Sequence, residues 1–259
     1  MSEKLYTAEI APGVWQIGEN EPGETPVDAY LILGSERGLV VDALFFREDL
    51  YETVRKLTPL PLDLVLTHGH PDHAGRSVEG FLKAGCPVWM DPADHELLAH
   101  MPGAPDLSRL SPLKAGQLFE LGGRRLTVIP CPGHTPGSVV LLDRAWQQLF
   151  SGDSVGSGQF WMQIDGCLPL KEFSRSLDRL WDEVEDLPLL KIYPGHRFQS
   201  PVQLNLQYLE DVRTITRHLA DGSWEGEETV MEFGGSLLPY RHLAYGMMLD
   251  YCYDPRRLG

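Results

Sequence analysis

The stretch Thr67-His68-Gly69-His70-Pro71-Asp72-His73 places three of the chain's nine histidines beside an aspartate, directly after the apolar run Leu62-Asp63-Leu64-Val65-Leu66. The run reads as a strand. Residues two apart in extended chain point the same way, so His68 and His70 can share one cation. Pro71 breaks the extension and turns the chain toward a helix starting near Ala74, which lets Asp72 and His73 aim at a second, neighbouring position. Burying three imidazoles and a carboxyl at a strand end costs desolvation that nothing offsets unless something binds them.

Three further segments repeat the pattern of apolar strand, tight turn and ligand-capable side chain. Ile129-Pro130-Cys131-Pro132-Gly133-His134 presents His134, Leu149-Phe150-Ser151-Gly152-Asp153 presents Asp153, and Leu190-Lys191-Ile192-Tyr193-Pro194-Gly195-His196 presents His196. Each alone is ordinary turn chemistry. Together with the first stretch they supply five histidines and two aspartates, enough for two divalent cations with open positions left over.

The surrounding 259 residues suit such a site. Hydrophobic residues at 42% and charged residues at 23% exclude intrinsic disorder and allow a real core. A formal charge of −15 argues against nucleic acid or an anionic membrane as partner, since both are polyanions. The start, Met1-Ser2-Glu3-Lys4-Leu5-Tyr6-Thr7, shows no apolar leader, and Cys86, Cys131, Cys167 and Cys252 form no Cys-x-x-Cys. Reduced thiols in a cytoplasmic protein are expected.

Strands are expected at Val14–Ile17, Ala29–Leu33, Leu39–Val41, Leu62–Leu66, Val88–Met90, Leu126–Ile129, Val139–Leu142 and Lys191–Tyr193, with a hairpin turn at Gly122-Gly123. Helices are expected at Arg47–Lys56, Gly75–Ala84, Ala93–Ala99, Leu170–Glu185 and Val202–Ala220. Strands followed by helices in two successive halves suggest sheets covered on their outer faces by helices. No linker divides the chain, so residues 1–259 read as one domain, with 221–259 a short appendage rich in Tyr and Met.

The string His68-Gly69-His70-Pro71-Asp72-His73, followed in order by His134, Asp153 and His196, resembles the metallo-β-lactamase-fold hydrolase superfamily. Asp42, in Leu39-Val40-Val41-Asp42-Ala43, matches the aspartate that opens the family's motif series, and the likeness runs from about Val14 to His196. It implies an α/β fold, a four-layer αββα sandwich of two mixed sheets flanked by helices, with a dinuclear metal site along one edge. It assigns His68, His70 and His134 to one ion, Asp72, His73 and His196 to the other, and Asp153 to a bridge. Asp42 is then a carboxylate that orients a ligand, or else a strand-end group capping a turn. The aspartate at 153, where true β-lactamases usually carry Cys or Ser, points to the glyoxalase II and lactonase-like branch.

Imidazole and carboxylate ligands without thiolate suit two zinc ions first, with iron or manganese as alternatives. The chemistry expected is attack by a hydroxide of the dinuclear site on the carbonyl of a small ester, thioester or lactone, with Asp72 orienting the nucleophile. Two divalent ions, set against two carboxylates and one hydroxide, leave about one positive charge locally, so an anionic substrate is accommodated despite the acidic exterior. Phe160 and Trp161 either reach into the pocket from the loop after Asp153 or anchor that loop. Arg197 pairs with a substrate carboxylate or with a surface acid. Tyr240, His242, Tyr245, Met247 and Met248 form a pocket wall, a contact between copies in a homo-oligomer, or core. Two other activities stay open at this point: a mononuclear iron persulfide dioxygenase on the same scaffold, and β-lactam hydrolysis.

Overall fold

Residues 5–19, 27–45, 47, 49–100, 104–200, 202–246 and 248–259 are described in a computed structural model. One sheet follows the chain in order: β1 (Tyr6–Ala11), β2 (Val14–Gly18), β3 (Asp28–Leu33), β4 (Gly38–Val41), β5 (Leu62–Val65), β6 (Val88–Met90) and β7 (Ser111–Pro112). Pairing is antiparallel from β1 to β4 and parallel from β4 to β7. The second sheet is built from β8 (Leu118–Glu120), β9 (Arg125–Pro130), β10 (Val139–Asp143), β11 (Gln148–Gly152), β13 (Lys191–Pro194) and β14 (Leu204–Asn205), in the spatial order β14-β13-β11-β10-β9-β8. Gly122 and Gly123 close the β8–β9 hairpin with φ of 83° and 70°, the left-handed pair that matches the twist of the two strands.

Alternation along the strands decides the layers. On β3, Tyr30 and Ile32 face the second sheet while Ala29 and Leu31 face outward; on β10, Val139 and Leu141 face inward while Val140 and Leu142 face outward. The inward set meets Phe150 and Tyr193 in a core between the sheets, their rings stacked 5.2 Å apart. Helices α1 (Leu50–Leu57), α2 (Val78–Lys83) and α3 (His95–Ala99) cover the first sheet through Leu50, Val54, Phe81 and Leu98. Helices α4 (Leu170–Val184) and α5 (Leu206–Ala220) cover the second through Phe173, Leu177, Leu180, Val212 and Ile215. The αββα arrangement follows.

The last 39 or so residues depart from the expected picture. After α5 the chain forms a third sheet, in which β15 (Glu227–Phe233), β16 (Ser236–Tyr245) and β17 (Leu249–Tyr253) join β12 (Gly158–Met162) in the order β12-β17-β16-β15. Tyr251 is buried between α5 and β12, its hydroxyl accepting from Thr216 at 2.9 Å. The segment after Asp153 is therefore partly a strand, held in parallel register by β17, where sequence alone suggested a loop. Among the described residues no helix is long and apolar enough to cross a membrane.

Candidate metal centre

Each polar residue singled out from the main motifs lies just beyond the C-terminal end of a strand: Asp42 after β4, His68 to His73 after β5, His134 after β9, Asp153 after β11 and His196 after β13. Both sheets thus deliver side chains to one edge of the sandwich. Two glycines permit the close approach. Gly152 has φ of 49°, and a Cβ there would lie 2.3 Å from Thr67 Oγ1; a Cβ on Gly195 would lie 2.2 Å from the ring of His73 and 2.7 Å from Asp153 Oδ1.

Ligand-capable atoms gather in three overlapping groups, each within 4.8 Å: His68, His70 and His134; His68, His73 and Asp153; Asp72, His73 and His196. Asp153 faces both outer groups, with Oδ1 3.4 Å from His73 Nε2 and Oδ2 3.6 Å from His134 Nε2 and 3.4 Å from His196 Nε2. Asp72 Oδ2 stands 3.4 Å from His196 Nε2.

Hydrogen bonds behind the rings fix which nitrogen points inward. Asp42 Oδ1 accepts from the Thr67 amide at 2.7 Å, and Oδ2 accepts from the Thr67 hydroxyl at 2.9 Å and from His73 Nδ1–H at 2.8 Å. With its only proton committed to Asp42, the Thr67 oxygen accepts from His68 Nδ1–H at 3.0 Å. His134 Nδ1–H donates to the Trp161 carbonyl at 2.8 Å. His68, His73 and His134 consequently turn Nε2 toward the hollow, as ligating histidines do when a carboxylate or carbonyl holds the other nitrogen. Asp42 also takes a left-handed backbone, φ 65°, a conformation aspartate tolerates better than most residues.

Burial and the neighbouring ring of His73 hold His68 well below the usual imidazole range, and burial beside His134 takes His70 down to about 3, so both are neutral lone-pair donors. Burial pulls His73 and His196 the same way. The Asp153 and Asp72 carboxylates outweigh it, however, raising His73 and lifting His196 to about 10. Burial conversely pushes Asp72 and Asp153 up, yet His73 and His196 hold both below the ordinary carboxylate range. His68 Nε2, His73 Nε2 and Asp153 Oδ1 are buried without a hydrogen-bond partner, each worth about 1–3 kcal/mol if left so. Three such atoms around one hollow, backed by oriented imidazoles, fit a metal; these clusters are able to hold metal ions.

Two carboxylates with no sequence signal brace the site. Asp94, at the start of α3 and fully buried, accepts from the Gly69 amide at 2.8 Å, the Thr135 hydroxyl at 2.6 Å and the Gly137 amide at 2.6 Å, tying the His68–His70 turn to the His134 turn. Asp28, also buried, donates its amide to the Gly195 carbonyl at 2.8 Å and accepts from the Arg197 amide at 2.8 Å, clamping the His196 turn. Only the spatial partners of these two residues reveal what they do.

The metal-site cavity has a volume of about 490 Å³, with His70, Asp72, His134, Asp153 and His196 in its wall. Of the residues considered for substrate, Trp161 lines it. Phe160 touches it too, but is 1% exposed and stacks on Tyr251 and Phe173 at 4.9 and 5.8 Å. Arg197 lines a different hollow, its guanidinium donating to Gln16 Oε1 at 2.7 Å. Tyr245 packs against Trp224 at 5.3 Å, and Met247 lies outside the described residues.

Comparison with known proteins agrees with this architecture. A family model described as the metallo-beta-lactamase superfamily matches residues 22–196. The acyl-coenzyme A thioesterase MBLAC2 of Gallus gallus is 30% identical over 223 residues, covering 72% of this chain and 78% of that protein. Hydroxyacylglutathione hydrolase GloC of Haemophilus influenzae is 27% identical over 119 residues, 40% of this chain and 56% of its own. Among solved structures, a metallo-beta-lactamase from Pontibacter korlensis superposes with a TM-score of 0.65 at 21% identity, covering 83% of this chain and 99% of that one.

Proposed function

Because the chain belongs to the metallo-beta-lactamase superfamily, we propose that it is a metal-dependent hydrolase of acyl thioesters. In this reading His68, His70 and His134 would hold one divalent ion and Asp72, His73 and His196 a second, with Asp153, which faces both groups, as a further ligand. Zinc is the first choice for a donor set of imidazole and carboxylate. Bound in such a site, divalent ions lower the pKa of water to about 7 and polarise a carbonyl, the two requirements of thioester hydrolysis.

The chain's own groups do the rest. Asp72, ionised and at the cavity wall, accepts a hydrogen bond from the attacking water and fixes its direction. Its depressed pKa makes it an orienting acceptor and a poor store for a proton. Asp42 and Thr67 keep His68 and His73 in register through the bonds described above. Burial pushes Cys131 and Cys167 up to about 12, which keeps both as thiols. Four free cysteines are consistent with a reducing, cytoplasmic setting.

The observation that carries this reading is the set of three buried atoms without a hydrogen bond, His68 Nε2, His73 Nε2 and Asp153 Oδ1, where the three ligand groups overlap. The choice of a thioester over other acyl compounds draws on the relative matched over 72% of this chain, which is named a thioesterase. The test couples metal analysis of purified protein to a hydrolysis panel of acyl thioesters, S-lactoylglutathione, aryl esters, acyl-homoserine lactones and a chromogenic cephalosporin. Close to two zinc ions per chain and turnover of thioesters support the proposal. One iron per chain with oxygen uptake on glutathione persulfide, or turnover of the cephalosporin alone, refutes it.

A further inference from the structure

The β15–β16 hairpin reaches back across the molecule to the metal-site cavity. Phe233, the last residue before the Gly234-Gly235 turn, lines that cavity and meets Trp161 edge to face, 5.8 Å between ring centroids. Gln163, one residue past β12, donates from Nε2 to Met231 Sδ at 3.5 Å, and so fixes the approach of the hairpin. Phe45, Leu97 and Ile164 also line the cavity. Among the described residues, the lining contains no lysine or arginine. Away from the candidate ligands, an apolar acyl group would find aromatic and aliphatic surface in this lining.

We infer that this wall is the seat of an extended apolar acyl chain, and that Phe233, delivered by the C-terminal hairpin, is a specificity-determining residue for it. In naming a thioester the inference rests on the function proposed above. Phe233 is 45% exposed, so its truncation removes a contact surface and leaves the buried core unchanged. Burying methylene groups against the wall raises kcat/KM by about two- to fourfold for each one accommodated. Acyl length becomes a reading of wall contact.

Acetyl, hexanoyl and decanoyl thioesters of a single thiol, given to the zinc-loaded full chain, provide the test. The wild-type protein should favour decanoyl over acetyl by at least tenfold. Phe233→Ala should lose about tenfold in kcat/KM on decanoyl and less than about twofold on acetyl, while Phe233→Leu recovers most of the loss. A second measurement is independent of turnover: affinity for the decyl thioether of the same thiol, followed by tryptophan fluorescence, should weaken about tenfold in Phe233→Ala. An identical length profile in wild type and Phe233→Ala, or a flat wild-type profile, overturns the inference even if thioesters are hydrolysed. Absence of all thioester hydrolysis refutes the proposed function alone, and the thioether then decides: weaker binding by Phe233→Ala upholds the apolar seat, equal binding overturns it.

Discussion

Replacement of Asp94 probes the bracing of the site without touching any candidate ligand. The carboxylate is 0% exposed and accepts three hydrogen bonds, from Gly69 N at 2.8 Å, Thr135 Oγ1 at 2.6 Å and Gly137 N at 2.6 Å. In Asp94→Ala the Thr135 hydroxyl still has Ser138 Oγ at 2.7 Å, but the two buried amides lose their acceptor. At about 1–3 kcal/mol for each orphaned donor, the expected loss is about 2–6 kcal/mol, or roughly 8–16 °C in Tm for a mid-range loss of about 4 kcal/mol. Asp94→Asn should cost nearly as much. The two amides bond to different carboxylate oxygens, so the new NH2 must face one of them, donor against donor. Zinc affinity, measured by competition with a chromophoric chelator, should fall by about 10- to 100-fold, because the turn carrying His68 and His70 loses its tie to the turn carrying His134. An Asp94→Asn protein with Tm within about 2 °C of wild type and undiminished zinc affinity would refute the reasoning.

Other perturbations follow from the same geometry. Gly195→Ala forces a methyl to within 2.2 Å of the His73 ring, so metal content should drop by about one ion per chain while circular dichroism stays native. Thr67→Val keeps the backbone bond to Asp42 but removes the hydroxyl that links it to His68; a loss of about 10- to 100-fold in zinc affinity is expected, and an unchanged titration would speak against the relay. His73 is raised and His196 stands at about 10, so both carry protons at neutral pH in the metal-free protein and must release them to ligate. Calorimetric titration in buffers of different ionisation heat should show about two protons released near neutral pH, with apparent affinity climbing as pH rises toward about 10; zero release would contradict the assigned charges. Asp72→Ala should abolish thioester turnover in a stopped assay, and full activity would remove Asp72 from the chemistry.

Sequence reading located the two main sheets because their buried strands carry the pattern openly: Val139-Val140-Leu141-Leu142 is apolar on both faces because both faces are covered. The edge strand Tyr6–Ala11 carries no such pattern, since its residues are exposed or half-buried and Glu9 interrupts the run. The third sheet is hidden for the same reason more strongly. Glu227-Glu228-Thr229-Val230-Met231-Glu232-Phe233 is solvated along most of its length, although Gly234-Gly235 offered the same turn signal that Gly122-Gly123 did. β12 hid behind its glycines, and its partner β17 lies far along the chain, where no local pattern reports it. The candidate ligands His68, His70, Asp72, His73, His134, Asp153 and His196 stand out in the sequence through their spacing after strands, whereas Asp28 and Asp94 are visible only through the amide donors placed beside them.

The Trp161 carbonyl that receives His134 Nδ1–H belongs to a strand whose neighbour in register is Cys252, almost at the end of the chain. Strand β17 thereby steers an imidazole encoded far upstream. A substitution that loosens β17 would slacken that grip and shift the His134 ring while leaving every candidate ligand's identity intact.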